Sequence, residues 1–185
     1  MKRIFDLVAT FFGFLILFPV IILTALMVVS KLGLPVFFKQ FRPGLNGKLF
    51  SMYKFRTMSN EYDIEGKLLS DELRLTKFGK FLRSSSLDEI PELWNVIKGD
   101  MSLVGPRPNV KPETDLYTNI EKGLLLVRPG ITDFSSIVFS DEGDILEGSV
   151  DPDLTYNQII RPWKSRLAIF YTKNSNMIID IKIIS

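Results

Sequence analysis

The stretch LVATFFGFLILFPVIILTALMVV, Leu7 to Val29, is 23 residues long and carries no charge. At about 1.5 Å per residue, it makes a helix long enough for a bilayer core of roughly 30 Å. The run is too long for a cleaved leader, and Val28-Val29-Ser30-Lys31 is no small-residue cleavage site, so the segment is expected to stay and bind membrane. Lys2 and Arg3 flank one end and Lys31, Lys39 and Arg42 the other, so charge bias gives no orientation. Pro19 stands mid-run, where it removes a backbone donor and crowds the preceding turn. Two topologies fit: a single-pass anchor with a tolerated proline, or a re-entrant helix that bends at Phe18-Pro19 and returns.

Around this segment the chain of 185 residues amounts to one domain with an appendage. It contains no cysteine and no histidine, which removes disulfides, thiol nucleophiles, Cys/His metal sites and Ser-His-Asp machinery. A general base must then be a carboxylate, lysine, tyrosine or the substrate itself, and a metal must be a hard cation on oxygen. Mean hydropathy is +0.17, high for a soluble domain. Residues 1–83 carry 13 Lys/Arg against 6 Asp/Glu, whereas residues 84–185 carry 10 against 15. A basic half beside an apolar segment suits an anionic membrane surface or a phosphate-bearing substrate.

Val36 to Gln40 and Leu49 to Phe55 read as strands, with Asn46-Gly47 as the hairpin turn. Residues 67–83 space their leucines and phenylalanines as one basic amphipathic helix, either packed on the core or lying on the membrane interface. A helix is expected over about 87–98, closed by Gly99, and another over 112–127. Residues 134–153 are acidic and read as a loop; 154–173 read as a helix broken at Pro162, followed by an apolar terminal stretch, Met177 to Ile184. The fold class is therefore α/β mixed, mainly helical, with a small sheet.

The window SLDEIPELWN, Ser86 to Asn95, places two acids at a helix start. They are a capping box, with Glu89 reaching back to Ser86, or an N-cap at Asp88. Alternatively they are functional: a carboxylate can attack phosphorus, and a helix N-terminus holds it ionised. Basic residues recur in rigid contexts nearby: Lys54 and Arg56 at a strand end, Arg83 before the serines, Arg107 between prolines and Arg128 before Pro-Gly. Such arginines suit bidentate phosphate binding. No Walker loop and no Gly-x-Gly-x-x-Gly is present.

Together, KRIFD (2–6), RPG (42–44), YKFRTM (53–58), DELRLTKFG (71–79), LRSSSLDE (82–89), NVIKGDMSLVGPRP (95–108) and RPGIT (128–132) resemble the bacterial initiating sugar transferases, the small monotopic phosphoglycosyl transferases. The resemblance covers almost the whole chain, and the 95–108 block is its most specific part. It implies transfer of a sugar-1-phosphate from a UDP-sugar donor to a polyprenol (undecaprenyl) phosphate acceptor, giving UMP. It implies Asp88 as nucleophile and Mg2+ ligand, with Glu89 positioning the metal or managing a proton. Lys54, Arg83 and Arg107 match its phosphate-binding residues. It further implies a re-entrant helix over 1–32 and a catalytic domain over 33–185. The site is expected at the cytoplasmic face of the bacterial inner membrane, in contact with its lipid, and a homodimer is compatible with this. Two departures stand out: Phe18-Pro19 replaces the frequent Ser-Pro at the bend of the membrane helix, and Asp133 replaces a frequent glycine in the region expected to touch the sugar or base. A nucleic-acid partner is not expected, because the basic half lacks an aromatic stacking platform. A membrane-bound nucleotide-sugar hydrolase and a lipid-binding module remain alternatives.

Overall fold

The computed structural model describes residues 1–184. Lys2–Leu32 forms one helix, α1, helical at every residue including Phe18 and Pro19, and long and apolar enough to cross a membrane. Its length is roughly 46 Å by helical rise. Much of its surface is open: Phe11, Phe12, Leu15, Ile16, Leu23 and Leu26 are all more than half exposed.

Both ends of α1 are nevertheless tied to the rest of the chain. At the start, Lys2 Nζ donates to Val104 O and to Asp180 Oδ2 (3.1 and 2.6 Å), and Asp6 Oδ2 accepts from Ser102 Oγ at 2.8 Å. At the far end Val28 packs with Phe55 and Leu82. There the Arg56 guanidinium donates to the carbonyls of Leu32, Gly33 and Leu34, closing the helix terminus.

The expected hairpin is present. β1 (Phe37–Pro43) pairs antiparallel with β2 (Leu49–Phe55), Phe37 opposite Phe55 and Pro43 opposite Leu49. Asn46 and Gly47 take positive φ (56° and 71°) in the connection, the conformation Asn-Gly favours. A second sheet was not anticipated. β3 (Ser102–Val104) and β4 (Gly130–Thr132) pair in parallel, so two small sheets replace the one expected. Their approach requires glycine: a Cβ on Gly130 would lie 2.1 Å from Gly105 N.

The helical expectations need correction in several places. Residues 67–83 are not one helix. α2 (Asp71–Arg74) and α3 (Lys77–Ser84) are separated where Leu75 bridges to Met58 and Thr76 caps α3, its Oγ1 accepting from Gly79 N at 3.0 Å. The 112–127 helix is reduced to α5 (Lys111–Asp115) and a 3-10 segment, Glu121–Leu126. The acidic 134–153 stretch holds helices: α6 (Phe134–Val138), α7 (Glu142–Glu147) and the start of α8 (Pro152–Thr155). Helical residues run from 152 to 174 without the break expected at Pro162: a π-helical segment, Tyr156–Ile160, leads directly into α9 (Arg161–Asn174), whose first turn holds Pro162. Met177–Ile184 is α10.

A 3-10 turn, Leu87–Glu89, leads into α4 (Glu92–Lys98), which Gly99 closes at φ 90° as expected. α4 docks on β2 through Asn95, whose side chain is fully buried. Asn95 Oδ1 accepts from Tyr53 N at 3.1 Å and its Nδ2 donates to Ser51 O at 2.7 Å. Phe50, Met52, Val96 and Met101 form the core beneath. Replacing Asn95 by alanine strands both backbone groups. We expect Asn95→Ala to lose about 2–3 kcal/mol of stability, read as a lowered unfolding midpoint in detergent; an unchanged midpoint would refute this role.

Candidate active site

Glu89, Glu92 and Lys54 meet because a strand and a helix start are held in register. Lys54 sits on β2, one residue beyond the Asn95 clamp on Tyr53. Ser86 turns the chain at φ 54° out of α3 and into the Leu87–Glu89 turn. Glu89 does not reach back as a capping box. Its Oε1 accepts from Lys54 Nζ at 2.6 Å and from the Arg107 guanidinium, while Oε2 lies 3.4 Å from Arg107 Nη1. Glu92, one helical turn on, lies 3.4 Å from the same Lys54 Nζ.

Arg107 is placed by the second sheet. Gly130 N donates to Pro106 O at 3.1 Å, and Arg42 Nη1 donates to Pro108 O at 3.1 Å, so the Pro106-Arg107-Pro108 turn is held from both sides. Arg83 donates through Nε to Thr57 Oγ1 at 3.1 Å. Lys54, Arg83, Glu89, Glu92 and Arg107 all line one cavity of about 920 Å³. Asp88 is only 7% exposed and lies one residue from this lining.

The carboxylates differ in charge state. Burial raises Asp88 above its ordinary value; Lys54 and Arg83 oppose this, and Glu89 adds to it. Burial would raise Glu89 too, but Arg107 and Lys54 outweigh it and hold the carboxyl below its usual range. Glu92 is pushed up to about 7, chiefly by burial, with Lys54 opposing and Glu89 reinforcing. One carboxylate is thus firmly ionised, and two carry raised affinities for a proton.

Two sequence candidates lie elsewhere. Arg56 is buried and spends its guanidinium on the end of α1. Arg128 donates through Nε to Gly99 O at 2.9 Å. Neither lines the cavity, so both serve the fold. Conversely, Glu92 was not singled out, although its i+3 spacing from Glu89 puts both on one face of a helix start. Arg42, a flank of the apolar segment and part of the RPG motif, also lines the cavity. Tyr156, Arg161 and Lys164 also line the cavity, brought in by α9 and the turn before it, and no local motif marks them. Asp133, the departure from the expected glycine, caps α6, accepting from Ser136 N at 2.8 Å. Among the described residues no three acidic side chains converge as a ready-made metal cage.

Cations grouped around ionised and poised carboxyls have the chemistry to hold phosphate oxygens, and the same chain carries a helix long and apolar enough to cross a membrane. The chain belongs to the bacterial sugar transferase family, whose model matches residues 1–185. It is 44% identical over 184 residues to an uncharacterized sugar transferase, EpsL, of Bacillus subtilis, covering all of this chain and 83% of the relative. It is 35% identical over 180 residues to the UDP-glucose:undecaprenyl-phosphate glucose-1-phosphate transferase of Klebsiella pneumoniae, covering 92% of this chain and 39% of that one. The undecaprenyl-phosphate galactose phosphotransferase of Salmonella typhimurium is 38% identical over 149 residues, covering 71% of this chain and 31% of the relative. The chain thus spans well under half the length of the two relatives with a named reaction.

Glu92 generates a pH prediction. Its folded-state value, about 7, lies above the ordinary 4.5, so the fold retains a proton that the unfolded chain releases. Its penalty on stability is absent below pH 4.5, grows as pH rises to about 7 and is constant above. Glu92→Gln is therefore expected to be more stable than the parent at pH 8, by on the order of 3 kcal/mol, and equal to it near pH 4. Equal midpoints for the two proteins at pH 8 would contradict this.

Proposed function

We propose that this chain is a phosphoglycosyl transferase. It moves a sugar-1-phosphate from a UDP-sugar to undecaprenyl phosphate, releasing UMP, as the first membrane step of glycoconjugate assembly. The observation that carries this is the buried Asp88 beside Lys54 and Arg83, adjoining a polar cavity of about 920 Å³ whose wall holds the Lys54–Glu89–Arg107 bridge. An Asp88 oxygen bonds to the phosphorus nearest the sugar. The bridging P–O bond breaks, and UMP leaves with the bridging oxygen. A phosphate oxygen of the lipid then attacks that phosphorus, the bond to Asp88 breaks, and the carboxylate is restored. Burial keeps water from the acyl phosphate between the two steps.

Lys54, Arg83 and Arg107 take the diphosphate oxygens. Glu89, already shared by two cations, orients Lys54 and Arg107. The residues fit magnesium held by one carboxylate, Asp88, together with substrate oxygens, the mode in which that ion keeps much of its water. When bound it supplies charge neutralisation to the diphosphate.

The same proposal covers topology. Lys2, Arg3 and Asp6 at one end of α1, and Val28 and Leu32 at the other, are all bound to one body. A helix that crossed a bilayer would part these ends. This supports the reading that residues 1–32 enter and leave on one side, with the bend near Phe18-Pro19, and that residues 33–185 act at the cytoplasmic face of the inner membrane.

In detergent with magnesium, one UDP-sugar should release UMP only when undecaprenyl phosphate is added. Asp88→Asn should lower this by about 10⁴-fold or more, and Arg107→Ala by roughly 10²-fold. UMP release without lipid would indicate a hydrolase, and full activity of Asp88→Asn would remove the nucleophile. The chain has no cysteine, so Ile4→Cys and Leu34→Cys each report one end of α1. Both should react with an impermeant maleimide in inverted membrane vesicles and neither in intact spheroplasts. Labelling of the two ends from opposite sides would establish a spanning helix.

A further inference from the structure

Lys54 is asked to do three things. It bridges Glu89 at 2.6 Å, stands 3.4 Å from Glu92, and in the proposed reaction must also meet a diphosphate. Glu89 has a second cation in Arg107; Glu92, only 3% exposed, has no other cation within ion-pair distance among the described residues. The charged groups facing Glu92 are Lys54 on β2, Glu89 on the turn before α4, Arg107 after β3 and, at longer range, Arg42 on β1. When Lys54 turns to phosphate, Glu92 is left buried beside one ionised carboxylate and close to a polyanion. An uncompensated buried charge is resolved by taking up a proton.

We infer that Glu92 is a positioning residue that releases Lys54 to a diphosphate ligand by taking up a proton, so that diphosphate binding and protonation of Glu92 are one coupled event. The inference rests on the phosphate-gripping role proposed for the cavity, but not on turnover. Geometry supports it independently: Glu92 and Glu89 stand on successive positions of one face, and both reach the same ammonium. Because the free carboxyl is half-protonated near 7, the coupling falls within the working range of a cytoplasmic site.

The test is isothermal titration calorimetry of the full chain in detergent, with UDP as probe and magnesium present. Two buffers of different ionisation enthalpy give the protons taken up per UDP bound. At pH 8 the parent should take up close to one proton, and at pH 6 close to none. Glu92→Gln should take up none at either pH. It should bind UDP roughly tenfold more tightly than the parent at pH 8, one unit above the half-titration point. Equal proton counts at pH 6 and pH 8 in the parent, or an unchanged count in Glu92→Gln, would overturn the inference. So would failure of UDP to bind at all. Loss of the proposed reaction appears separately, as absence of lipid-dependent UMP release in a protein that still takes up the proton.

Discussion

The Asn95 side chain substitutes for a strand. β2 has β1 on one edge only, and its other edge would leave the Tyr53 amide and Ser51 carbonyl without partners. Asn95 supplies one acceptor and one donor to these two groups. Its own carbonyl accepts from the amides of Gly99, Asp100 and Met101, which ends α4 and starts the approach to β3. One residue therefore fixes the distance between β2 and α4, and with it the spacing of Lys54 from Glu89 and Glu92. Leaving these two buried backbone groups unpaired would cost about 1–3 kcal/mol each.

The ion pairs it aligns are unequal. Glu89, gripped by Lys54 and Arg107, is a fixed anion. Asp88 and Glu92 flank it with raised proton affinities, because burial is only partly offset by shared cations. Carboxyls that share a cation in a low-dielectric pocket, as Glu89 and Glu92 share Lys54, do not all stay charged. Such a pocket gains from a polyanionic ligand only if some carboxyl charge is first neutralised. In the proposed reading, the two carboxylates that share Lys54 tie ligand charge to proton movement.

Much of this was legible in the sequence, and the rest was hidden for physical reasons. Strand alternation and Asn-Gly gave the hairpin, and Gly99 gave the end of α4, because each rests on local conformational preference. The amphipathic 67–83 pattern failed because helical spacing does not reveal a Leu75–Met58 bridge between distant segments. The β3–β4 pair was invisible for a similar reason: three-residue strands carry no period, and their signal is two glycines 25 positions apart that must touch. Lys54, Arg83 and Arg107 converge on the cavity as the motifs indicated. Arg56 and Arg128 resemble them in sequence context and differ only in what carbonyls lie nearby, which a linear reading cannot see.

The way α1 is attached bears on how the proposed soluble donor and lipid acceptor would share one site. Arg3 donates to the carbonyls of Val96 and Ile97 at the end of α4, where a cation also complements the helix dipole. Asp6 bonds Ser102 on β3, and Arg56, directly after β2, holds the other end. These three elements are the ones that carry or adjoin Glu92, Arg107 and Lys54. The apolar helix is therefore anchored to the catalytic frame itself, not to a peripheral loop. Whatever depth its exposed phenylalanines and leucines take in the lipid sets the depth of the carboxyls, with no flexible linker between. The proposed reaction needs that rigidity, because a lipid phosphate whose tail stays in the bilayer can attack only an acyl phosphate held at headgroup depth.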